Sequence, residues 1–297
     1  MDIYTRRAQQ GVREIMHPKW RSYDSGIVEA ERCGGLLDQD FFDMDESTEI
    51  IPLTTGRYVT LRHLACPPQY ARNDGVRRII LMSHGHSRNS YYGLKYSRIY
   101  YELGYETIIF DHRGHGVADY YPCTMGKDEG DDLACIAQYL REKAGDSAII
   151  GLHGESMGAA AICMAMPELA KTMNFAVCDS AYDDFMTVLR GKTWSSKVLE
   201  RADKLSDEEG ARFSEIRPVD SVAASPDSFP AYFIHGEADR LVPAKCGRAL
   251  YDAKSGVREA TFYPLARHVQ SSSLYRTHYR RNVRIFLANH VEEGPQE

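Results

Sequence analysis

Residues 154–158 read Gly154-Glu155-Ser156-Met157-Gly158, and this short run constrains the fold more than any other part of the chain. Before it, Ala148-Ile149-Ile150-Gly151-Leu152-His153 has the apolar pattern of a short buried strand. After it, Ala159-Ala160-Ala161-Ile162-Cys163-Met164 is a helix of small and apolar residues. A strand that becomes a helix within so few residues needs glycine on both sides, because a Cβ there would clash where the two elements pass. The sharp turn strains the serine backbone and holds Ser156 Oγ at the helix N-terminus. Free N–H groups and the positive end of the helix dipole favour a developing oxyanion there. Ser156 is the candidate nucleophile, and serine hydrolase chemistry is the expectation.

The rest of the chain alternates in a way that suits such a turn. Strands are expected near Thr48–Leu53 and Arg57–Leu64, joined at Thr55-Gly56 as a hairpin. Further strands are expected at Arg78–Met82, Glu106–Phe110, 148–152, Asn174–Cys178, Ala231–Ile234 and Glu259–Tyr263. Helices are expected at Ser90–Leu103, Asp128–Ala144, Ala244–Lys254 and 271–290, besides the one after Ser156. Apolar runs alternating with amphipathic helices predict an α/β fold: a mostly parallel eight-stranded sheet with helices on both faces and an antiparallel opening hairpin. A charged, helix-rich stretch at 182–228 interrupts the alternation and reads as a small helical cap. Residues 1–47 read as a polar N-terminal extension with helical stretches and an acidic end (Asp38, Asp40, Asp43, Asp45, Glu46), leaving 48–297 as the main domain.

A chain of 297 residues supports one large α/β domain, and 43% hydrophobic with 26% charged residues suits a soluble enzyme. The net charge of −6 and the dispersed basic pairs (Arg6-Arg7, Arg77-Arg78, Arg280-Arg281) argue against a nucleic-acid partner. Seven scattered cysteines without a C-x-x-C pair suggest free thiols and a reducing compartment. The N-terminus lacks an apolar signal region, and the apolar runs are of strand length, far below the roughly 20 residues of a membrane span. A cytoplasmic protein is the expectation.

A serine hydroxyl needs a base, and the base needs an acid to orient it. After a strand–turn–helix nucleophile the order is Ser, acid, His. His268 is the histidine that follows the last strand, in Pro264-Leu265-Ala266-Arg267-His268, whereas His278 and His290 belong to the terminal helix. Asp239 lies on the loop His235-Gly236-Glu237-Ala238-Asp239 leaving the preceding strand, with Glu237 and Asp179 as alternatives for the acid. His235 reads as a brace for that loop. The oxyanion hole is expected from the backbone N–H groups of Met157 and of His86, the latter in His84-Gly85-His86-Ser87-Arg88-Asn89. A metal reading of His84, His86, Asp111, His112 and His115 fails its own pattern, since Arg88-Asn89 stand where a dinuclear site needs Asp-His. The loop Asp111-His112-Arg113-Gly114-His115-Gly116 is instead expected to be structured near the site, with Arg113 anchoring backbone or a carboxylate.

Five motifs then stand in order: His84-Gly85 with Asn89, Asp-x-Arg-Gly-His-Gly at 111–116, Gly-x-Ser-x-Gly at 154–158, His-Gly-x-x-Asp at 235–239 with Val242-Pro243, and His268. Over residues 50–290 the chain resembles the α/β-hydrolase superfamily, in its serine-aminopeptidase-like and cinnamoyl-esterase-like branch. The resemblance implies two-step acyl transfer by Ser156, His268 and Asp239, with no cofactor and no metal. The expected substrate is a small ester, with a short peptidyl substrate as the alternative. Phe185, Met186 and Trp194 of the cap are candidate pocket residues, and Asp183, Asp184 or Glu155 would have to hold the amine of a peptide. The non-enzymatic alternative, a hydrolase fold kept as a binding module, has no need of all three polar residues.

Overall fold

The computed structural model describes residues 2–19, 21–35, 46–54, 56–118 and 121–292. Eight strands form one sheet: β1 Glu46–Pro52, β2 Tyr58–Leu64, β3 Arg78–Ser83, β4 Glu106–Phe110, β5 Ile149–Glu155, β6 Phe175–Asp179, β7 Ala231–Gly236 and β8 Arg258–Tyr263. Their order is β1-β2-β4-β3-β5-β6-β7-β8. β2 pairs antiparallel with both β1 and β4, and the strands from β3 to β8 pair in parallel. The sheet and its antiparallel opening are as expected, as is the α/β-hydrolase fold. Thr55 of the opening turn and the acidic residues Asp38, Asp40, Asp43 and Asp45 lie outside the described residues.

Alternation along the strands explains why both faces are covered. Ile79, Leu81, Ile108, Phe110, Ile150, Leu152 and Phe233 point to one face. There they pack on the helices Lys127–Ala144, Met157–Met164, Pro218–Ala223 and Ala244–Ala253. Ile80, Met82, Ile109, Phe175, Val177, Tyr232 and Ile234 point to the other face, against Tyr96, Tyr100 and the terminal helix Arg276–Leu287. Strands buried on both sides, such as β3, β6 and β7, are apolar through most of their length, as parallel strands must be.

Two helices differ from expectation. The segment expected as one helix from Ser90 winds as a 3-10 helix over Ser90–Tyr96 and becomes α-helical at Ser97–Tyr101. Gly93 lies so close to β3 there that a Cβ would stand 2.7 Å from Met82 Cβ. The terminal helix breaks at Tyr275, between Ser271–Leu274 and Arg276–Leu287, where the Tyr275 ring packs on Tyr263 at 4.8 Å.

A third apolar cluster roofs the carboxyl end of the sheet. It joins Tyr182, Phe185, Leu189, Val198, Ala202 and Phe213 of the cap to Met157 and Val242 near the nucleophile. The amino-terminal helix Ile3–Met16 belongs to this cluster. Asp2 caps it by accepting from the Tyr4 and Thr5 N–H groups, and Ala8, Gly11, Val12, Ile15 and Met16 form one buried stripe at helical spacing. That stripe packs chiefly on the cap helix Ser196–Glu208. Gly11 permits the approach, since a Cβ there would meet the Trp194 ring at 2.2 Å.

Removing buried methylene groups from this stripe costs transfer energy and leaves a cavity. Ile15→Ala should lower the unfolding free energy by about 2 kcal/mol or more. Gln9→Ala, on the exposed face of the same helix, should stay within about 0.5 kcal/mol. Urea unfolding of the two variants checks this, and equal stabilities would mean that the helix is not part of the cooperative unit.

Candidate active site

The turn after β5 holds Ser156 at φ 51°, ψ −119°, a region that residues other than glycine avoid. Both flanking glycines are required by contact. A Cβ at Gly154 would lie 2.8 Å from the Ala159 backbone nitrogen, and one at Gly158 would lie 2.2 Å from the Ser83 carbonyl oxygen. The Ser156 N–H donates to the Asp179 carbonyl at 2.8 Å, which fixes the strained residue to β6.

Ser156 Oγ lies 2.8 Å from His268 Nε2, and His268 Nδ1 lies 2.7 Å from Asp239 Oδ2. The other Asp239 oxygen accepts from the Leu241 and Val242 N–H groups, both at 2.9 Å. These bonds orient the carboxylate, and His268 must then donate from Nδ1 and present its Nε2 lone pair to the serine. His235 Nε2 donates to the Val242 carbonyl at 2.8 Å and stands 3.5 Å from Asp239 Oδ2, so it braces the acid's loop from below. Burial raises the Asp239 pKa, but the nearby His235 ring and the hydrogen bonds from His268 and the Val242 N–H outweigh it and hold the carboxyl well below the usual carboxylate range.

The two alternatives for the acid stand elsewhere. Glu237 is exposed and pairs with Arg248. Asp179 is fully buried, and burial raises its pKa; its carboxylate accepts from Tyr96 OH at 3.2 Å, Tyr279 OH at 2.9 Å and Ser180 Oγ at 2.8 Å.

The loop after β3 abuts the nucleophile: a Cβ at Gly85 would lie 3.4 Å from Ser156 Cβ. Met157, the residue after Ser156, opens the helix Met157–Met164, whose first N–H groups have no partner within the helix. The imidazoles of this loop and of the loop after β4 are neutral, their pKa values lowered by burial at His84, His86, His112 and His115. His86 Nε2 donates to the Ile15 carbonyl at 2.7 Å, tying the loop to the end of the amino-terminal helix. His86, His115 and Cys123 bring possible metal-ligand atoms within 4.8 Å of one another. Both imidazoles are already committed, however. His86 Nδ1 and His115 Nε2 accept from Ser87, and His115 Nδ1 donates to the Arg113 carbonyl. Arg113 anchors its loop on Asp132, with both bonds at 2.9 Å, and on Asp128.

The cap residues expected to line a pocket are mainly packed. Phe185 is 2% exposed, its ring 5.3 Å from Tyr182 and 5.1 Å from Phe213. It supports the cap and presents no surface to a substrate. Trp194 is half-buried on Gly11, and Met186 is half-buried in the same cluster. Of the acidic residues considered for an amine, Asp184 caps the helix Phe185–Arg190 through the Met186 N–H at 2.7 Å, and Glu155 pairs with buried Lys95. The roles of Lys95, Tyr96, Tyr279 and Ser180 were not legible in the sequence; the one trace was the polar pair Asp179-Ser180 closing an apolar strand.

A serine at an elbow, a histidine and a carboxylate at the carboxyl edge of such a sheet define a serine hydrolase of the α/β-hydrolase superfamily. The prolyl oligopeptidase family model (Peptidase_S9) matches residues 96–294, and the chain belongs to that family. It is 29% identical over 280 residues to the uncharacterized protein YqkD of Bacillus subtilis (strain 168), covering 90% of this chain and 87% of that protein. Its fold is similar to that of the Pyrococcus furiosus esterase Pf2001, with TM-score 0.66 and 22% identity over 86% of this chain and 96% of that one. It is also similar to the Pyrococcus horikoshii acylaminoacyl peptidase, with TM-score 0.62 and 15% identity over 86% of this chain and 43% of that one. Porphyromonas gingivalis dipeptidyl peptidase 4 gives TM-score 0.62 and 16% identity over 82% of this chain and 35% of that one. No helix among the described residues is long and apolar enough to cross a membrane, and all seven cysteines are free thiols.

Because the Asp239 pKa is depressed on folding, its contribution to stability is present above the unfolded carboxyl value of about 3.9 and is lost as pH falls below it. The stability gap between wild type and Asp239→Asn should therefore be widest at neutral pH and shrink steadily below about pH 4. Urea unfolding at pH 7, 4 and 3 tests the sign; a gap that widens in acid would contradict it.

Proposed function

We propose that this chain is a carboxylesterase in which Ser156 is the nucleophile, His268 the proton carrier and Asp239 the group that orients it. The observation carrying this reading is the unbroken hydrogen-bond chain from Ser156 Oγ through His268 to Asp239, at 2.8 and 2.7 Å. His268 Nε2 takes the Ser156 proton as Oγ bonds to the ester carbonyl carbon. Negative charge moves to the carbonyl oxygen, where the Met157 and His86 N–H groups stabilise it. The carbon–alkoxy bond then breaks, the alcohol leaves with the proton from His268, and the acyl group stays on Oγ. Water attacks the acyl-enzyme by the same two steps and restores the serine. The scheme uses no cofactor, and the cell interior remains our expectation for its setting.

Two observations favour an ester over a peptide. The likeness to the esterase Pf2001 takes in 96% of that chain, whereas more than half of each peptidase has no counterpart here. Asp184 and Glu155 are also already engaged by a helix cap and by Lys95. The peptidase reading is favoured by the family match and by Asp183, one of whose carboxylate oxygens is buried without a hydrogen-bond partner among the described residues.

A fluorophosphonate should label Ser156 covalently, and a folded Ser156→Ala variant should take no label and lose ester hydrolysis. Undiminished turnover in that variant would remove the serine mechanism. Asp239→Asn should lower kcat by several orders of magnitude, on the order of 10⁴-fold, because the amide favours the wrong imidazole tautomer. In a panel of p-nitrophenyl esters against aminoacyl amides, kcat/KM should favour the esters, and the reverse order would select the peptidase reading.

A further inference from the structure

The dipeptide that closes β6, Asp179-Ser180, touches all three chain segments on which the proposed triad rides. The Asp179 carbonyl accepts from the Ser156 N–H, and the Ser180 N–H donates to the Ile234 carbonyl of β7, the strand that leads to Asp239; both distances are 2.8 Å. The Ser180 hydroxyl donates to Asp179 Oδ1 at 2.8 Å and accepts from the N–H of Val269, the residue after His268, at 3.3 Å. Asp179 is held in turn by Tyr96 and Tyr279, which donate to its second oxygen at 3.2 and 2.9 Å.

The backbone at both ends of the Ser180–Val269 bond is unusual. Ser180 has φ 60° and Val269 has φ 55°. For β-branched valine the left-handed region is a genuine outlier, which local chain preference opposes. Something outside the loop must hold it. The Ser180 hydroxyl is placed to do so, and its own direction is set by the buried Asp179 carboxylate, which two tyrosines hold in turn. Ser180 is itself fully buried, so its hydroxyl has no water to exchange for these partners.

We propose that Ser180 is a positioning residue for the base: its hydroxyl, aimed by Asp179, anchors the Val269 N–H and so keeps the His268 imidazole in line with Ser156 Oγ. This rests on the triad reading above. It predicts a loss in the chemical step and not in substrate binding, since a displacement of about 1 Å at reacting groups can cost on the order of 10²-fold in rate.

The test compares Ser180→Ala, Ser180→Gly and Ser180→Thr with wild type. Each is assayed for p-nitrophenyl ester turnover, for the rate of fluorophosphonate labelling at Ser156, and for melting temperature. Ser180→Ala should lower kcat by about 10- to 100-fold with KM changed less than about twofold, and labelling should slow by a similar factor. Ser180→Gly relieves the positive φ while lacking the hydroxyl, so it should show the same kinetic loss at a different melting temperature, and it serves where the alanine variant fails to fold. Ser180→Thr keeps the hydroxyl and should recover most of kcat per folded molecule. The proposal is overturned if folded Ser180→Ala or Ser180→Gly keeps the wild-type kcat and labelling rate, or if only the melting temperature moves. Failure of the triad reading looks different: wild type would then take no label at Ser156, and Ser156→Ala would stay active.

Discussion

The approach of Gly158 to the end of β3 is the contact on which the rest of the site depends. A Cβ there would stand 2.2 Å from the Ser83 carbonyl oxygen, and the Ser83 hydroxyl donates to the Gly158 carbonyl at 3.0 Å. The helix after the nucleophile can cross β3 only at this spacing. Because it does, the loop from His84 to Ser87 is carried alongside Ser156, with Gly85 against the serine. The same crossing forces the strained serine backbone, which the Asp179 carbonyl then holds. One glycine thus sets both where the hydroxyl points and what faces it.

Strain is concentrated around that point. The non-glycine residues with positive φ among the described residues are Ser87, Met125, Ser156, Ser180 and Val269. Four of them follow the carboxyl ends of β3, β5, β6 and β8. Such conformations persist only where surrounding bonds over-determine them. Here each of the four has such a bond: Ser87 N–H to His115, Ser156 N–H to Asp179, Ser180 N–H to Ile234, and Val269 N–H to Ser180. The buried tyrosines and Lys95 behind β5 and β6 complete this frame from the far side, keeping the carboxylates of Asp179 and Glu155 occupied.

The amino-terminal helix adds a roof. Its apolar stripe closes on the cap helix Ser196–Glu208, and its last turn accepts a hydrogen bond from His86 through the Ile15 carbonyl. The loop that supplies one proposed oxyanion donor therefore lies against the elbow at Gly85 and is fastened to the roof by His86. Phe185 and Trp194, which read in the sequence as pocket residues, are occupied in building this roof. Apolar residues on a short helix can serve either purpose, and only their neighbours distinguish the two.

What the sequence determined by itself was the part of the molecule governed by local rules. Alternating apolar runs specified eight strands and a mostly parallel sheet, because strands buried on both faces have no other composition open to them. Gly154 and Gly158 specified the elbow, since no other residue fits where strand and helix cross. Chain order after the elbow nominated Asp239 and His268. The tertiary structure decided what spacing along the chain does not encode. Asp179 ends β6 and Asp239 follows β7, and only packing turned Asp179 toward two tyrosines and Asp239 toward the histidine. The helix Ile3–Met16 looked like a polar extension because half its surface is polar; its other face became core only when the cap, nearly two hundred residues later, supplied a surface to bury it. Ser180 and Val269 hold each other across 89 residues. A hydrogen bond of that reach follows from where the sheet brings two loops together, and no local pattern announces it.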